Sequence, residues 1–188
     1  MRIVAGTHRG RALQGPKGPG LRPTADRVRE SLFNLLGQRF EGGTVLDLYA
    51  GTGALAFEAL SRGMTSAVLV DSGAESERLV EANARALGFD SSVTFLRMPV
   101  ERALMKLGAE RRRFELVLAD PPYAAGAAAG LVESVRSAGV LAPGGILCVE
   151  HGRREPVPPG GMGLAPVDQR RFGDTVVSVY RADAAREG

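Results

Sequence analysis

Residues 44–63 read TVLDLYAGTGALAFEALSRG, and the order of apolar and small residues within them decides the fold. TVLDLY is a short, nearly all-apolar run of the kind that forms a strand buried on both faces. Gly51, Gly53 and Ala56 follow at the G-x-G-x-x-G/A spacing. Small residues there let the backbone approach a ligand and let the next helix pack close to the strand. ALAFEALSRG then reads as that helix, so the stretch opens a strand-turn-helix unit.

Downstream the alternation continues through AVLVD, ESERLVEANARALG, VTFLRM, VERALMKLG, FELVLAD, a small-residue helix near residues 127–138, and GILCVE. Short apolar strands alternating with helices predict a parallel sheet covered on both faces, an α/β doubly wound domain. A Pro/Gly-rich link at residues 156–163 precedes LAPVDQRRF and TVVSVYRAD, which predict a terminal antiparallel hairpin around Gly173-Asp174. Upstream, residues 1–20 read as a basic β-hairpin or arm. Residues 21–188 form the body, with a first helix over about 24–37 in which Val28, Leu32, Leu35 and Leu36 share a face and Gly37 is the stop. No internal repeat is present.

Asp71 ends the second strand, twenty residues after Gly51, where a carboxylate can accept both hydroxyls of a ribose. An acid at a strand end can also simply cap the next helix. Strand context and spacing together favour an adenosine-containing cofactor. Asp47 favours S-adenosylmethionine over a dinucleotide, because a carboxylate there attracts a sulfonium and an ammonium but repels a pyrophosphate. FELVLADPPYAAG places Asp120, Pro121, Pro122 and Tyr123 after the fourth strand, beside the same crevice. An exocyclic amine on a planar base is a poor nucleophile, since its lone pair is delocalised into the ring. The Asp120 carboxylate and the Pro121 carbonyl can accept its N–H groups and aim the lone pair at a methyl donor. The prolines preset the turn, and Tyr123 offers a flat face for stacking.

The net charge of +3 is unevenly spread: residues 1–40 hold eight Lys/Arg against Asp26 and Glu30. A positive N-terminal segment on a near-neutral body fits a polyanionic partner or a solvated basic face. The absence of a long apolar run and of a signal-peptide block, with a lone Cys148, gives no sign of export or membrane and an expected cytoplasmic home. His8 and His151 lack a metal-ligand set, so no metal is expected.

LDLYAGTGALAFEALSRG, LVD, LADPPY, the terminal FGDT and the opening LRPTADRVRESLF together resemble the RsmD family over almost the whole chain. Members are bacterial S-adenosylmethionine-dependent methyltransferases that act on N2 of one guanine in 16S ribosomal RNA. The resemblance implies a class I methyltransferase fold, Rossmann-like, with a seven-stranded sheet, its last strand antiparallel, and an N-terminal β-hairpin that grips RNA. It places cofactor contacts on Asp47, Ala50, Gly51, Gly53 and Asp71, and the target guanine on Asp120, Pro121, Pro122 and Tyr123. Relatives often hold the adenine with an Asn or an Asp-Ala pair after the third strand. Here that place is Arg97-Met98-Pro99-Val100, leaving apolar packing and the Val100 N–H. Thr24, Asp26 and Arg27 are expected to close the cofactor pocket, and Arg2, His8, Arg9, Arg11, Lys17, Arg22 and Arg29 to meet RNA phosphate. The expected partner is 16S rRNA in an assembled or assembling 30S particle, bound by a monomer. Two other readings remain: a DNA adenine-N6 methyltransferase, and a non-catalytic RNA-binding assembly factor.

Overall fold

The apolar runs become central strands because helices cover both of their faces. The computed structural model describes residues 1–16, 28–122, 126–156 and 160–184, and the backbone alone of 23–27. Its elements are α1 (Pro23–Leu36), β1 (Thr44–Leu48), α2 (Ala54–Ser61), β2 (Ser66–Asp71), α3 (Ala74–Leu87), β3 (Val93–Arg97), α4 (Val100–Ala109), β4 (Phe114–Ala119), α5 (Ala127–Ala138), β5 (Leu141–Gly152), β6 (Leu164–Phe172) and β7 (Thr175–Ala182). Among the described residues seven strands form one sheet, ordered β3-β2-β1-β4-β5-β7-β6. Strands β1 to β5 run parallel, and β7 is antiparallel to both β5 and β6. This is the expected class I methyltransferase fold. The winding reverses between β1 and β4, and the C-terminal strand ends there leave a crevice.

Side-chain alternation along each strand builds two cores. Val45, Leu69, Leu116, Leu118, Cys148 and Val179 pack against Leu32 and Phe33 of α1, Phe57 and Leu60 of α2, and Val80 and Ala84 of α3. Leu46, Leu48, Val68, Val70, Val117, Leu147 and Val149 pack against Leu104 and Leu107 of α4 and Leu131 and Val135 of α5. Helix α1 begins with proline, whose fixed φ suits a first helical position and whose missing N–H costs nothing there. It stops before Gly37, which has φ 104°.

A third layer lies on the first core. An antiparallel bridge joins Arg2 to Ala12, and the N–H groups of Ile3, Gly10 and Leu13 bond to the carbonyls of Arg11, Ile3 and Met1. Ile3 and Leu13 are buried in the core. The boundary expected at residue 20 lies outside the described residues.

This layer accounts for Glu58, a carboxylate with no exposure in an otherwise uncharged helix α2. It accepts the N–H groups of Val4 and Ala5 at 2.8 and 2.9 Å and Arg62 Nε at 2.8 Å. Arg29 Nε lies 3.6 Å away, and the Arg29 guanidinium also donates to the Arg2 carbonyl at 2.8 Å. A buried charge is tolerated only with such partners. Glu58 thereby ties the arm, α1 and α2 together.

Candidate active site

The crevice at the winding reversal holds a cavity of about 360 Å³, walled by the strand ends on one side and by Val28, Arg29 and Leu32 of α1 on the other. The glycine loop forms its floor. Tyr49 leaves β1 with φ 62°, a conformation rare for a non-glycine side chain and a form of strain that clusters at functional sites. Gly53 has φ 76° and precedes α2. A Cβ there would stand 2.6 Å from Phe57 Cε2 and 2.9 Å from Leu69 Cδ2, so the loop requires a residue without one. Gly53→Ala should lower stability by about 1–3 kcal/mol from overpacking, read as a fall in thermal midpoint. Alanine at exposed Gly88, where a Cβ meets nothing within 4 Å, would show the effect of a positive φ alone.

Asp47, Asp120 and Glu150 line the cavity, and Asp71 braces the glycine loop beside it. Asp47 lies inside the end of β1, 2% exposed, with one oxygen accepting the Ala56 N–H at 3.0 Å. Burial pushes its pKa well above the usual carboxylate range, and the negative charges of Asp120 and Asp71 add to that. Asp71 sits at the end of β2 and accepts the N–H of Gly51 at 3.0 Å and of Gly73 at 2.8 Å, bracing the loop from outside. Asp120 follows β4 directly and lines the cavity, and desolvation raises its carboxyl as well.

The sheet register sets their spacing. Leu48, Ala119 and Val149 pair in one row across β1, β4 and β5, so Tyr49, Asp120 and Glu150 stand one residue beyond it, and all three line the cavity. Such neighbours lie about 5 Å apart across strands. Thr175 of β7 adds a hydroxyl to the same wall. Tyr49, Thr52, Glu150 and Thr175 were not expected at the site. Glu150 did leave a signal, since it closes an apolar run as Asp120 does. Glu58, buried behind the loop, left another: a lone charge inside ALAFEALS needs a partner.

The structure brings some of the other expected residues to the cavity and not the rest. Ala50 and Gly51 line the cavity. Pro121 is buried and Pro122 exposed, while Tyr123 lies outside the described residues. Val100 opens α4 with its side chain in the second core, and the Met98 N–H bonds to the Asp71 carbonyl at 3.1 Å, joining the ends of β2 and β3. Thr24, Asp26 and Arg27 fall in the stretch of α1 described by backbone alone.

Of the residues expected to meet phosphate, Arg2 and Arg9 are exposed on the arm. Arg11 is exposed too but gives its guanidinium to the Ala86 carbonyl at 2.6 Å, and His8 packs its ring 4.5 Å from that of Phe89. Lys17 and Arg22 lie outside the described residues. Arg29 is a correction. It is 4% exposed and directs its charge to Glu58 and the Arg2 carbonyl, so it holds the arm rather than a phosphate.

Among the described residues no cluster of His, Cys, Asp and Glu could hold a metal, and no helix is long and apolar enough to cross a membrane. His151 is buried and shares a hydrogen bond with the Ser178 hydroxyl at 2.9 Å, a structural role.

The family model described as conserved hypothetical protein 95 matches residues 1–181. The ribosomal RNA small subunit methyltransferase D of Escherichia coli (strain K12) is 32% identical over 188 residues, covering 100% of this chain and 92% of its own. A solved hypothetical protein of Thermus thermophilus superimposes with a TM-score of 0.81 at 32% identity, covering 95% of this chain and 98% of its own. The solved Escherichia coli chain yhhF gives a TM-score of 0.82 at 30% identity, with 98% of each chain covered.

Proposed function

We propose, from the premise that this chain belongs to the RsmD family, whose model is described as conserved hypothetical protein 95, that it moves a methyl group from S-adenosylmethionine to N2 of one guanine in 16S ribosomal RNA. The observation that carries the reading is the single cavity shared by Asp47, the glycine loop and Asp120 at the winding reversal. These residues suit a cationic, adenosine-bearing donor on one side and an amine on the other.

When bound, S-adenosylmethionine supplies an electrophilic methyl group on a positively charged sulfur. Asp47, buried and fixed by Ala56, would hold the positive end of the donor, and Asp71, bonded to the Gly51 N–H at the edge of the loop, would accept its ribose. The short side chains and exposed backbone of Ala50 and Gly51 let it lie close to the strand. Asp120 and the Pro121 carbonyl would accept the two N–H bonds of the guanine amine. That draws the nitrogen out of conjugation, turns its lone pair toward the donor and stabilises the positive charge it carries until one N–H proton is released to solvent. Tyr123 would stack on the base. Arg2 and Arg9 on the arm would meet backbone phosphates, with 16S rRNA in a 30S particle as the partner in the cytoplasm.

The raised pKa of Asp47 gives this reading a pH dependence. Below that pKa the carboxyl is protonated, and binding a cation must release the proton. Cofactor affinity should therefore fall as pH drops through a value above the ordinary carboxylate pKa of about 4. Asp47→Asn should bind weakly at every pH and lose the dependence, as measured by calorimetric titration across pH 4–8 in steps of about one unit. In the cofactor-free chain the sign is opposite. A folded pKa raised above the unfolded one lets Asp47 oppose folding as pH rises out of the acid range.

Methyl-labelled cofactor offered with 30S particles from cells lacking the protein, with bare rRNA, and with DNA tests the substrate class. Label in small-subunit RNA is expected. Label in DNA adenine would favour the DNA methyltransferase reading, and no label in any substrate would favour a non-catalytic binding role.

A further inference from the structure

Asn83 is completely buried in α3, a helix whose outer face is charged. Its side chain meets two separate parts of the chain. Oδ1 accepts the Gln14 N–H at 2.7 Å, and Nδ2 donates to the Gln14 carbonyl at 3.0 Å and to the Thr52 carbonyl at 3.0 Å. Both amide hydrogens are thus used. The opposite amide orientation would set an N–H against an N–H and an oxygen against two carbonyls, so the network fixes it. Gln14 belongs to the returning half of the arm, and Thr52 is the middle residue of Gly51-Thr52-Gly53.

The contacts of the arm continue along α3 in three-residue steps. Arg11 bonds to the carbonyl of Ala86, and His8 packs on Phe89 just past the helix end. At the other end of the arm, the Thr52 hydroxyl reaches Met1 Sδ at 3.7 Å, and Met1 itself lines the cavity. The arm therefore lies against the glycine loop, and Asn83 bonds to both.

We infer that Asn83 is a positioning residue that makes RNA binding on the arm and cofactor binding in the glycine loop cooperative; the inference rests on the function proposed above. RNA held by Arg2 and Arg9 favours the docked arm. The docked arm supplies both Gln14 partners and fixes the Asn83 amide, and the fixed amide holds the Thr52 carbonyl and with it the loop that receives the donor. Linkage makes the effect reciprocal: a loop ordered by cofactor holds the arm ready for RNA.

Equilibrium dialysis of labelled S-adenosylmethionine against the full chain, with and without excess 30S particles from cells lacking the protein, measures the coupling. In the wild type, particles should tighten cofactor binding by at least about fivefold. Asn83→Ala should bring that ratio to about one. Gln14→Pro should do the same. It removes the N–H that Oδ1 accepts and fixes φ at an exposed position on the arm, without truncating a buried side chain. A residue that merely fills space would weaken both affinities and leave their ratio alone. A ratio near one in the wild type, or an unchanged ratio in both variants, overturns the inference. Failure of the proposed function shows itself differently, as a wild-type chain that binds neither labelled cofactor nor particles.

Discussion

Asp120→Ala is expected to cut methyl transfer by about 10²–10³-fold, the usual cost of losing one preorganised group that stabilises developing charge. Asp120 stands at the end of β4, on the cavity wall and level with Tyr49 and Glu150. Its carboxyl is raised by desolvation, so it pays part of its hydration in advance and gains more from the N–H groups of an incoming amine. Cofactor binding should survive. The negative charge of Asp120 helps to hold the Asp47 pKa up, so its removal lets Asp47 ionise more readily and, in mild acid, tightens the grip on a cation. Asp120→Asn keeps one acceptor oxygen and should fall between the two. Single-turnover rates and cofactor affinities on the same preparations separate these effects. Equal losses in both would assign Asp120 to cofactor binding.

Glu58→Ala is expected to destabilise the fold by about 3–5 kcal/mol, because it strips the carboxylate from two buried guanidiniums. For a domain of this size that lowers the thermal midpoint by on the order of 10 °C. Arg29 and Arg62 are 4% and 3% exposed and cannot rehydrate without opening the layer. Arg62 lies 4.9 Å over the Phe33 ring, so its movement would disturb α1 as well. The N–H groups of Val4 and Ala5 lose their acceptor in the same step. The arm should come away first. Hydrogen exchange should therefore rise at Val4 and Ala5 in conditions where the sheet stays protected. Denaturation and exchange together check both parts. A loss of stability confined to a few tenths of a kcal/mol would mean that solvent reaches these charges in the folded chain.

The fate of these residues marks how far the sequence could be read. The strands were legible because a strand covered on both faces must be apolar throughout; FELVLA and SAVLVD admit little else. The terminal hairpin was legible from Gly173, and its strands end and begin beside the turn it predicts. The start of β5 was not. Leu141 pairs with Phe114 and Ile146 with Leu116, so residues 142–145 fall in a register shift, and an irregularity of that kind carries no period. The positions of Asp47 and Asp120 followed from their strands, Asp47 inside the end of β1 and Asp120 just past β4. Arg29 was misread because its charge suggested water, whereas its position one residue after Val28 and three before Leu32 puts it on the flank of the buried stripe. What permits that burial is Glu58, on another helix, and no local pattern announces such a partner. Tyr49 and Thr175 escaped for a related reason. A left-handed φ and a cross-sheet approach are products of tertiary packing, not of neighbouring residues.

The most direct test of the central claim is nucleoside analysis of 16S ribosomal RNA from cells that carry the intact gene, that lack it, and that carry Asp120→Ala. The account predicts one N2-methylguanosine, at a single position, present in the first and missing from the other two. A modification pattern identical in all three, or the loss of a methyl group from any base other than guanine, would contradict it.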